Sequence, residues 1–481
     1  MTKKTYYFDI TDIYLYMEKE TTVSGIQRVS FEVITRAIDL LGADRVWLTY
    51  WDARKGEYLA VPTTFLKCGS DFTPELFTQV FFGRRTRSES QTAPTLTRYR
   101  HKPLKYRFHW LMRSYYAWKG NEEHFMEKGS TLAEWRSFER GTDAVSILTQ
   151  IDLSPVPAHT LAQPDDRLVI LGAPWNINGV YDQIKSIRDT NRLFVSQLIH
   201  DLIPVLTPEH LSDKFSMEFY YWLENTIKLC NHFMANSEQT ARDLQRFMDE
   251  VGQSKPISIV PLAQKFSDAS PLGHLDPDFA DRPIKAHLKE VEDIQQNILN
   301  LTKIPYVLVV GTMESRKNAW RLAQAWKRLA EDRDIETPRL VFAGKPGWHN
   351  VEFDQLMNST HQLGGWVQFV KRPSDAELRF LYKHCLFTAM VSYYEGWGLP
   401  VGEGLSFGKT GVVSNNSSMP EVGGDMVEYC DSNSTNSIYA ACRRLIEDPA
   451  RRIFLEDRIA GTTLRNWNDV ARDVVADMQE A

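Results

Sequence analysis

The chain alternates short apolar runs with amphipathic segments in two separate regions. In the first region the apolar runs predict strands at residues 6–10, 167–172, 194–203, 232–235 and 257–261. Residues 25–41 are predicted to form a helix, because one face at helical spacing carries Ile26, Val29, Val33, Ala37 and Leu41. In the second region strands are predicted at residues 305–311, 340–345, 367–370, 386–391 and 411–414.

Strands that alternate with helices predict parallel, doubly wound α/β sheets, whose ligands gather at the carboxyl ends of the strands. We therefore predict two domains of this class, one over residues 1–265 and one over residues 304–460. Residues 266–303 contain three prolines, many charges and little periodicity, so they are predicted to connect the domains. Residues 71–165 are predicted to be an insertion in the first domain.

Length and composition agree with this organisation. At 481 residues the chain exceeds one ordinary domain, and its 43% hydrophobic and 25% charged residues are typical of a soluble globular protein. A net charge of −6 gives no reason to expect nucleic acid as a partner. The five cysteines are scattered without C-x-x-C spacing, which indicates neither a disulfide framework nor a zinc site.

No apolar run approaches the length of a membrane span, and residues 1–7 are too short and too polar for a signal peptide. The expected location is the cytoplasm, with peripheral attachment to the inner face of the cytoplasmic membrane as an alternative. That alternative rests on residues 84–119, which contain ten lysines and arginines against the single acid Glu89.

Within this basic stretch Leu104, Phe108, Leu111, Tyr115 and Trp118 recur at helical spacing after Pro103. A basic amphipathic helix with aromatic residues is typical of a helix that lies on an anionic membrane surface, so residues 98–119 are one candidate for such contact. The other interpretation is a helix that packs its apolar face on the first domain and leaves its cations, including Arg107 and Arg113, in water.

The stretch from Ser392 to Glu403 is a predicted strand-to-helix turn that contains Gly396 and Gly398. A helix start leaves backbone N–H groups without partners, and glycine lets a phosphate or sugar approach them. The acceptor-only carboxylates Glu395 and Glu403 suit a ligand with hydroxyls on both sides of a phosphate, which is a nucleotide-sugar. The alternative is a helix N-terminus with a capping glutamate.

The motif E-G-W-G-L-P-V-G-E, from Glu395 to Glu403, resembles the paired glutamates of the retaining glycosyltransferases of family 4, which have the GT-B fold. The resemblance implies two Rossmann-like doubly wound domains that face each other across a cleft, with a last helix in residues 461–481 crossing back to the first domain. It places Glu395 and the turn, including Trp397 and Leu399, on the donor sugar, and Glu403 on the ribose hydroxyls.

Three further segments resemble the same family. Arg316 and Lys317 follow a predicted strand and resemble the basic pair that binds the donor diphosphate. His200 lies in an H-D-x-x-P segment, whose histidine is near the reacting sugar in the family, and Asp201 beside it is expected on the acceptor side. The helix start with Gly25 and Arg28 resembles the first loop of the family. The resemblance assigns Gly25 to the donor and Arg28 to the acceptor side. The alternative is a Ser-Gly helix cap with a solvated arginine.

Taken together, the resemblance implies a retaining hexosyltransferase that needs no cofactor and no metal, since Arg316 and Lys317 neutralise the diphosphate. Its donor would be a nucleotide-diphosphate sugar, with mannose favoured, and its acceptor a growing polysaccharide or lipid-linked glycan of bacterial O-antigen or capsule. Other donors such as UDP-glucose or TDP-rhamnose stay open. Two rivals also stay open: a GT-B epimerase or hydrolase that turns over donor alone, and a sugar-nucleotide sensor without activity.

Overall fold

The computed structural model describes residues 4–18, 23, 25–68, 72–82, 93, 96, 99, 102–128, 130–132, 135–136, 154–175, 177, 179–266, 291 and 294–480. Two sheets organise these residues, each flanked by helices. The predicted α/β class with two doubly wound domains is confirmed.

The first sheet has eight strands in the order β4-β3-β2-β1-β5-β6-β7-β8. All pairs are parallel except those that β3 makes with β2 and β4, so the sheet has an antiparallel edge that the sequence did not suggest. Its strands are β1 Tyr6–Asp9, β2 Val46–Asp52, β3 Glu57–Pro62, β4 Val156–Pro157, β5 Arg167–Ile170, β6 Phe194–Ile199, β7 His232–Ala235 and β8 Ile257–Ile259.

Helices cover both faces of this sheet, and their buried residues form two apolar clusters. The described helices up to β8 are α1 Thr11–Met17, α2 Ile26–Leu41, α3 Pro74–Phe82, α4 Pro103–Trp118, α5 Glu122–Met126, α6 Val180–Asn191, α7 Ile203–Leu206, α8 Asp213–Leu229 and α9 Glu238–Glu250. Gly25 precedes α2 with φ 51°, a backbone conformation that glycine adopts without strain.

The second sheet has six parallel strands in the order β11-β10-β9-β12-β13-β14. They are β9 Tyr306–Val310, β10 Arg339–Gly344, β11 Val367–Lys371, β12 Phe387–Met390, β13 Gly411–Ser414 and β14 Glu428–Cys430. Apart from a four-residue segment at His361–Gly364, the helices described in this part are α10 Gln296–Leu301, α11 Ala319–Glu331, α12 Val351–Ser359, α13 Asp375–His384, α14 Leu399–Ser406, α15 Met419–Gly423, α16 Thr435–Glu447, α17 Pro449–Ala460 and α18 Trp467–Glu480.

The strand predicted at residues 194–203 is shorter than expected, because β6 ends at Ile199 and residues 203–206 form α7. Pro204 lies in the first turn of α7, where its missing N–H costs nothing, and it could not have donated a hydrogen bond within a sheet. His200 and Asp201 therefore form the loop after β6 instead of continuing the strand.

Helix α18, at the carboxyl-terminal end of the described chain, packs against α2 of the first domain. Its residues Trp467, Val470, Val474 and Met478 are buried in the same cluster as α2 and β1. In addition, the backbone carbonyl of Met478 accepts a hydrogen bond from Nε of Arg167 on β5 at 3.0 Å. The carboxyl-terminal helix thus belongs to the core around the first sheet, although the residues before it follow the second sheet.

Helix α4 does not pack its apolar stripe on the first domain, so that interpretation is wrong. The stripe residues Leu104 and Trp118 are 84% and 81% exposed. The buried face is the opposite one, and it includes Arg113, which is 4% exposed and so is not one of the solvated cations. The basic residues before position 102 and most of the predicted connection, residues 267–290 and 292–293, lie outside the described residues.

Candidate functional site

Arg316 and Lys317 lie in a short 3-10 turn, Ser315–Lys317, in the loop between β9 and α11. Asn318 closes this turn in a left-handed conformation with φ 59°. Its Nδ2 donates to the carbonyls of Val391 at 3.0 Å and Ser432 at 2.8 Å. The loop is therefore held against the ends of the neighbouring strands, which gives its two cations fixed positions.

Glu395 is the counter-ion of both cations. Its Oε1 lies 2.8 Å from Nη1 of Arg316 and 2.6 Å from Nζ of Lys317. Burial alone would raise the pKa of Glu395, but Arg316 and Lys317 outweigh it and hold the pKa at about 2. The carboxylate is thus ionised at neutral pH, where it can accept hydrogen bonds and orient the two cations.

A second carboxylate supports Arg316 from behind. Glu314 is 8% exposed and forms an ion pair with Nη2 of Arg316, and the Tyr394 carbonyl accepts from Nη1. Burial would lower the pKa of Arg316, but Glu395, Glu314 and Asp201 raise it more strongly. The guanidinium is therefore held in one position by partners on several sides.

The first domain contributes His200, in the loop after β6. Its Nε2 lies 2.7 Å from the carbonyl oxygen of Leu171. Because a carbonyl only accepts, Nε2 must donate, so Nδ1 of the neutral ring is an acceptor. Burial lowers the pKa of His200 to about 4, which keeps the ring neutral at physiological pH.

This pKa predicts a specific acid sensitivity. Between pH 6.5 and about 4 the unfolded chain takes up a proton that folded His200 excludes, so His200 makes the protein less stable as the pH falls through this window. In His200→Gln the side chain can still donate to the Leu171 carbonyl. We expect this variant to lose up to about 3 kcal/mol less unfolding free energy than the wild type over this pH window. The measurement is the free energy of unfolding in urea at several pH values, for His200→Gln and for exposed His159→Gln. Equal pH slopes for His200→Gln and the wild type would contradict it.

The loop after β6 also touches the central turn of the second domain. A Cβ added to Gly396 would lie 2.8 Å from Cβ of Asp201 and would clash with the His200 carbonyl oxygen. Glycine at this position therefore allows close approach of two backbones across the cleft, in addition to any role for a ligand. Burial raises the pKa of Asp201 to about 6, although the positive charge of Arg316 opposes that rise.

Two further contacts join the domains beside this point. Glu421, in α15, accepts hydrogen bonds from the backbone N–H groups of Glu238 at 2.7 Å and Gln239 at 2.9 Å, at the start of α9. A carboxylate at a helix N-terminus satisfies unpaired N–H groups and interacts favourably with the helix dipole. The Tyr394 hydroxyl donates to Asp243 of α9 and accepts from the Gln239 side chain at 3.1 Å.

Glu403 lies in α14 and is 7% exposed. Its Oε2 accepts from the Tyr382 hydroxyl at 2.8 Å, and its Oε1 lies 3.2 Å from Nη1 of Arg28. Arg28 also pairs with Asp375 at 2.9 Å, so this arginine of the first domain bridges two carboxylates of the second. Burial raises the pKa of Glu403, although Arg28 lowers it.

The remaining predicted residues take different positions. Gly398 precedes α14 with φ 98°, and Leu399 is partly buried in the first helical turn. The Trp397 indole is 6% exposed in an apolar cluster and donates to the Ala263 carbonyl at 3.3 Å, so only its backbone faces the turn. Gly25 is exposed at the start of α2. Within the described ranges, no group of three His, Cys, Asp or Glu residues could hold a metal ion.

Sequence reasoning gave no role to four residues that shape the site: Glu314, Tyr382, Tyr394 and Glu421. Glu314 is two residues before Arg316, and Tyr394 lies in the Ser392–Glu403 turn directly before Glu395, so their proximity to these residues in sequence was a detectable signal. Tyr382 is on the buried face of α13, and its contact with Glu403 depends on how α13 and α14 pack. No local pattern would have indicated it.

Comparison with known proteins adds independent information. Residues 290–459 match the family model described as "Glycosyl transferases group 1". O-antigen chain mannosyltransferase B of Escherichia coli is 35% identical over 147 residues, which are 31% of this chain and 38% of the relative. The serotype-specific mannosyltransferase WbdA of Escherichia coli is 25% identical over 223 residues, 46% of this chain and 26% of the relative. The chain therefore spans well under half the length of these curated relatives.

A crystal structure of Anabaena HepE in complex with UDP and glucose aligns over 100% of both chains with a TM-score of 0.56 and 11% identity. The alignment spans both sheet domains. The fold is GT-B. In this GT-B protein the cleft between the sheets contains Arg316, Lys317 and Glu395 on one side and the His200–Asp201 loop on the other. Among the described residues, no helix is both long and apolar enough to cross a bilayer.

Proposed function

We propose that this protein is a retaining, metal-independent glycosyltransferase that moves a hexose from a nucleotide-diphosphate sugar to a growing polysaccharide or lipid-linked glycan. The observation that carries the proposal is the cluster of Arg316, Lys317 and Glu395 at strand ends, with the neighbouring Gly396 packed against the His200–Asp201 loop of the first domain. Two cations and an ionised carboxylate suit a ligand that joins a diphosphate to a hydroxylated ring.

In the proposed reaction the bond between the anomeric carbon and the diphosphate oxygen breaks, and the acceptor oxygen bonds to the same face of the sugar. The acceptor proton passes to the departing diphosphate oxygen. Arg316 and Lys317 stabilise the charge that develops on the diphosphate, and such fixed charges act strongly because they need no reorganisation. Glu395 orients the cations and accepts from a sugar hydroxyl, while neutral His200 keeps Nδ1 as a hydrogen-bond acceptor.

Mannose is the favoured sugar, and bacterial surface polysaccharide the favoured acceptor. Both relatives named above are mannosyltransferases, one of them of O-antigen chains, and the first is 35% identical over 147 residues. This likeness supports GDP-mannose over UDP-glucose or TDP-rhamnose as the donor. We assign four residues to the approach of the donor to the backbone: Gly25, Gly396, Gly398 and Leu399. Arg28 and Asp201 are proposed to lie on the acceptor side.

The donor is tested by calorimetric titration of GDP, UDP, TDP and their sugar conjugates into the wild type and Glu403→Gln. If Glu403 binds the ribose, the variant is expected to lose about 1.5 to 3 kcal/mol of affinity, the value of hydrogen bonds to a charged acceptor. The matched control is exposed Glu352→Gln, which should bind as the wild type does. Equal binding by Glu403→Gln would show that the Arg28–Glu403 pair is only structural.

A product assay separates the transferase from its GT-B rivals. With donor alone, an epimerase or hydrolase turns over at full rate, whereas a transferase does so slowly or not at all until a glycan acceptor is added. A sensor would bind donor and form no product. Because the proposed charge stabilisation comes from Arg316 and Lys317, transfer should also survive a metal chelator.

A further inference from the structure

The six large hydrophobic residues of helix α4 that reach solvent lie on one side of it. They are 84% (Leu104), 60% (Phe108), 55% (Leu111), 38% (Met112), 46% (Tyr115) and 81% (Trp118) exposed. At 100° per residue they span an arc of about 120° along a helix roughly 24 Å long. Scattered apolar residues are common on protein surfaces, but a continuous stripe of this size usually marks a contact surface.

The opposite side of α4 is anchored in the protein. Tyr106, Arg113 and Ala117 are 6%, 4% and 4% exposed. Tyr106 and Ala117 pack in a small apolar cluster with Phe125 and Trp135, and Nη2 of Arg136 donates to the Ala117 carbonyl at 3.1 Å. The stripe therefore points outward because its helix is fixed from behind.

Cations border the stripe. Lys102, Lys105, Arg107 and Lys119 are all exposed, and residues 102–119 contain no Asp or Glu. Lys105 and Arg107 flank the apolar arc on its two sides, each within roughly 20° of its edge by helical geometry. The acids of α5, Glu122 and Glu123, are exposed beyond the end of the helix. A positive rim around an aromatic stripe, on a chain of net charge −6, complements a negative surface with an apolar interior.

We propose that α4 is an interfacial helix that lies on an anionic phospholipid bilayer, with Phe108 and Leu111 among the acyl chains, Lys105 and Arg107 at the phosphates, and Trp118 at the boundary between these two layers. Trp and Tyr side chains prefer the boundary between the headgroups and the acyl chains, because their rings are apolar and their N–H or O–H groups can meet water. Helices of this kind bind through buried apolar area together with attraction to anionic lipid.

The test is co-sedimentation of the full chain with vesicles, without nucleotide, so that its outcome does not depend on the proposed transferase activity. Vesicles of phosphatidylcholine and phosphatidylglycerol in equal parts are expected to bind the protein, and pure phosphatidylcholine much less. Each cation near an anionic surface strengthens binding about fivefold, so Lys105→Glu/Arg107→Glu should weaken it more than tenfold. High salt should have a similar effect.

The apolar contact is tested with Phe108→Ser/Trp118→Ser, which should abolish binding even at low salt. The matched controls change exposed groups elsewhere: Phe454→Ser (51% exposed) on α17 and Lys214→Glu on α8. Arg113 stays unchanged in every variant, since its burial makes loss of folding the expected result of its removal.

Any of three results with vesicles would overturn the proposal: wild-type protein that stays in the supernatant with anionic vesicles, control variants that lose binding as much as the α4 variants, or binding that does not depend on lipid charge. A wild type that is dimeric by light scattering, and becomes monomeric in Phe108→Ser/Trp118→Ser, would also overturn it, because the stripe would then be a protein interface. Circular dichroism of each variant confirms that α4 is tested in a folded chain.

Discussion

Replacement of Arg316 by Gln is expected to lower kcat for sugar transfer about 10²- to 10³-fold, the usual effect of removing one fixed charge-stabilising donor. Arg316 is fixed by Glu395, Glu314 and the Tyr394 carbonyl. In the proposed reaction it would therefore meet the diphosphate without rearrangement. The loss should be largest in kcat, because the charge on the leaving diphosphate develops only in the transition state. The measurement is initial rates with saturating donor and acceptor.

Arg316→Gln also removes a positive charge beside the buried carboxylates Glu314 and Glu395. Because breaking a buried ion pair costs about 3–5 kcal/mol, the variant should be less stable. The double variant Arg316→Gln/Glu314→Gln removes one charge of each sign and should fold closer to the wild type. Exposed Arg242→Gln is the matched control and should keep full activity. If the folded double variant transfers sugar at near the wild-type rate, Arg316 has no part in the reaction.

The second large effect is expected for Gly396→Ala. The added Cβ would lie 2.8 Å from Cβ of Asp201 and 3.0 Å from the carbonyl carbon of His200, where ordinary contacts need 3.4 Å or more. The Gly396 turn and the His200–Asp201 loop must then move apart, because the contact is between backbone segments, which cannot move aside as a flexible side chain can. A shift of about 1 Å at a reaction centre can cost about 10²-fold in rate, and we expect a loss of this size.

Gly461→Ala is the control, because its nearest atom would be the Asp457 carbonyl oxygen at 3.6 Å. Small-angle scattering should show a larger radius of gyration for Gly396→Ala than for Gly461→Ala. Calorimetric unfolding should show that both domains of Gly396→Ala still melt cooperatively. A fully active Gly396→Ala with unchanged dimensions would mean that the cleft does not close on this contact during the reaction.

The sequence alone determined the α/β class and ten of the fourteen described strands, because apolar runs and helical spacings are local and appear directly in the chain. The strands β2, β3, β4 and β14 were not predicted. Arg316, Lys317 and Glu395 were also accessible to it, since each lies in a polar segment directly after an apolar strand. Parallel strands bring such segments to one edge of the sheet, so the spatial cluster follows from topology. The strand predicted to reach residue 203 ended at Ile199, because Pro204 favours a helix start.

Only the tertiary structure decided which partners these residues have. The pairing of Arg28 with Glu403 joins positions 375 residues apart, and Glu421 caps a helix 183 residues earlier in the chain. Such contacts depend on how two domains meet, which no local pattern encodes. The orientation of α4 is a similar case: amphipathic spacing predicted a helix with two faces, but packing around Tyr106, Arg113 and Ala117 decided that the apolar face points outward.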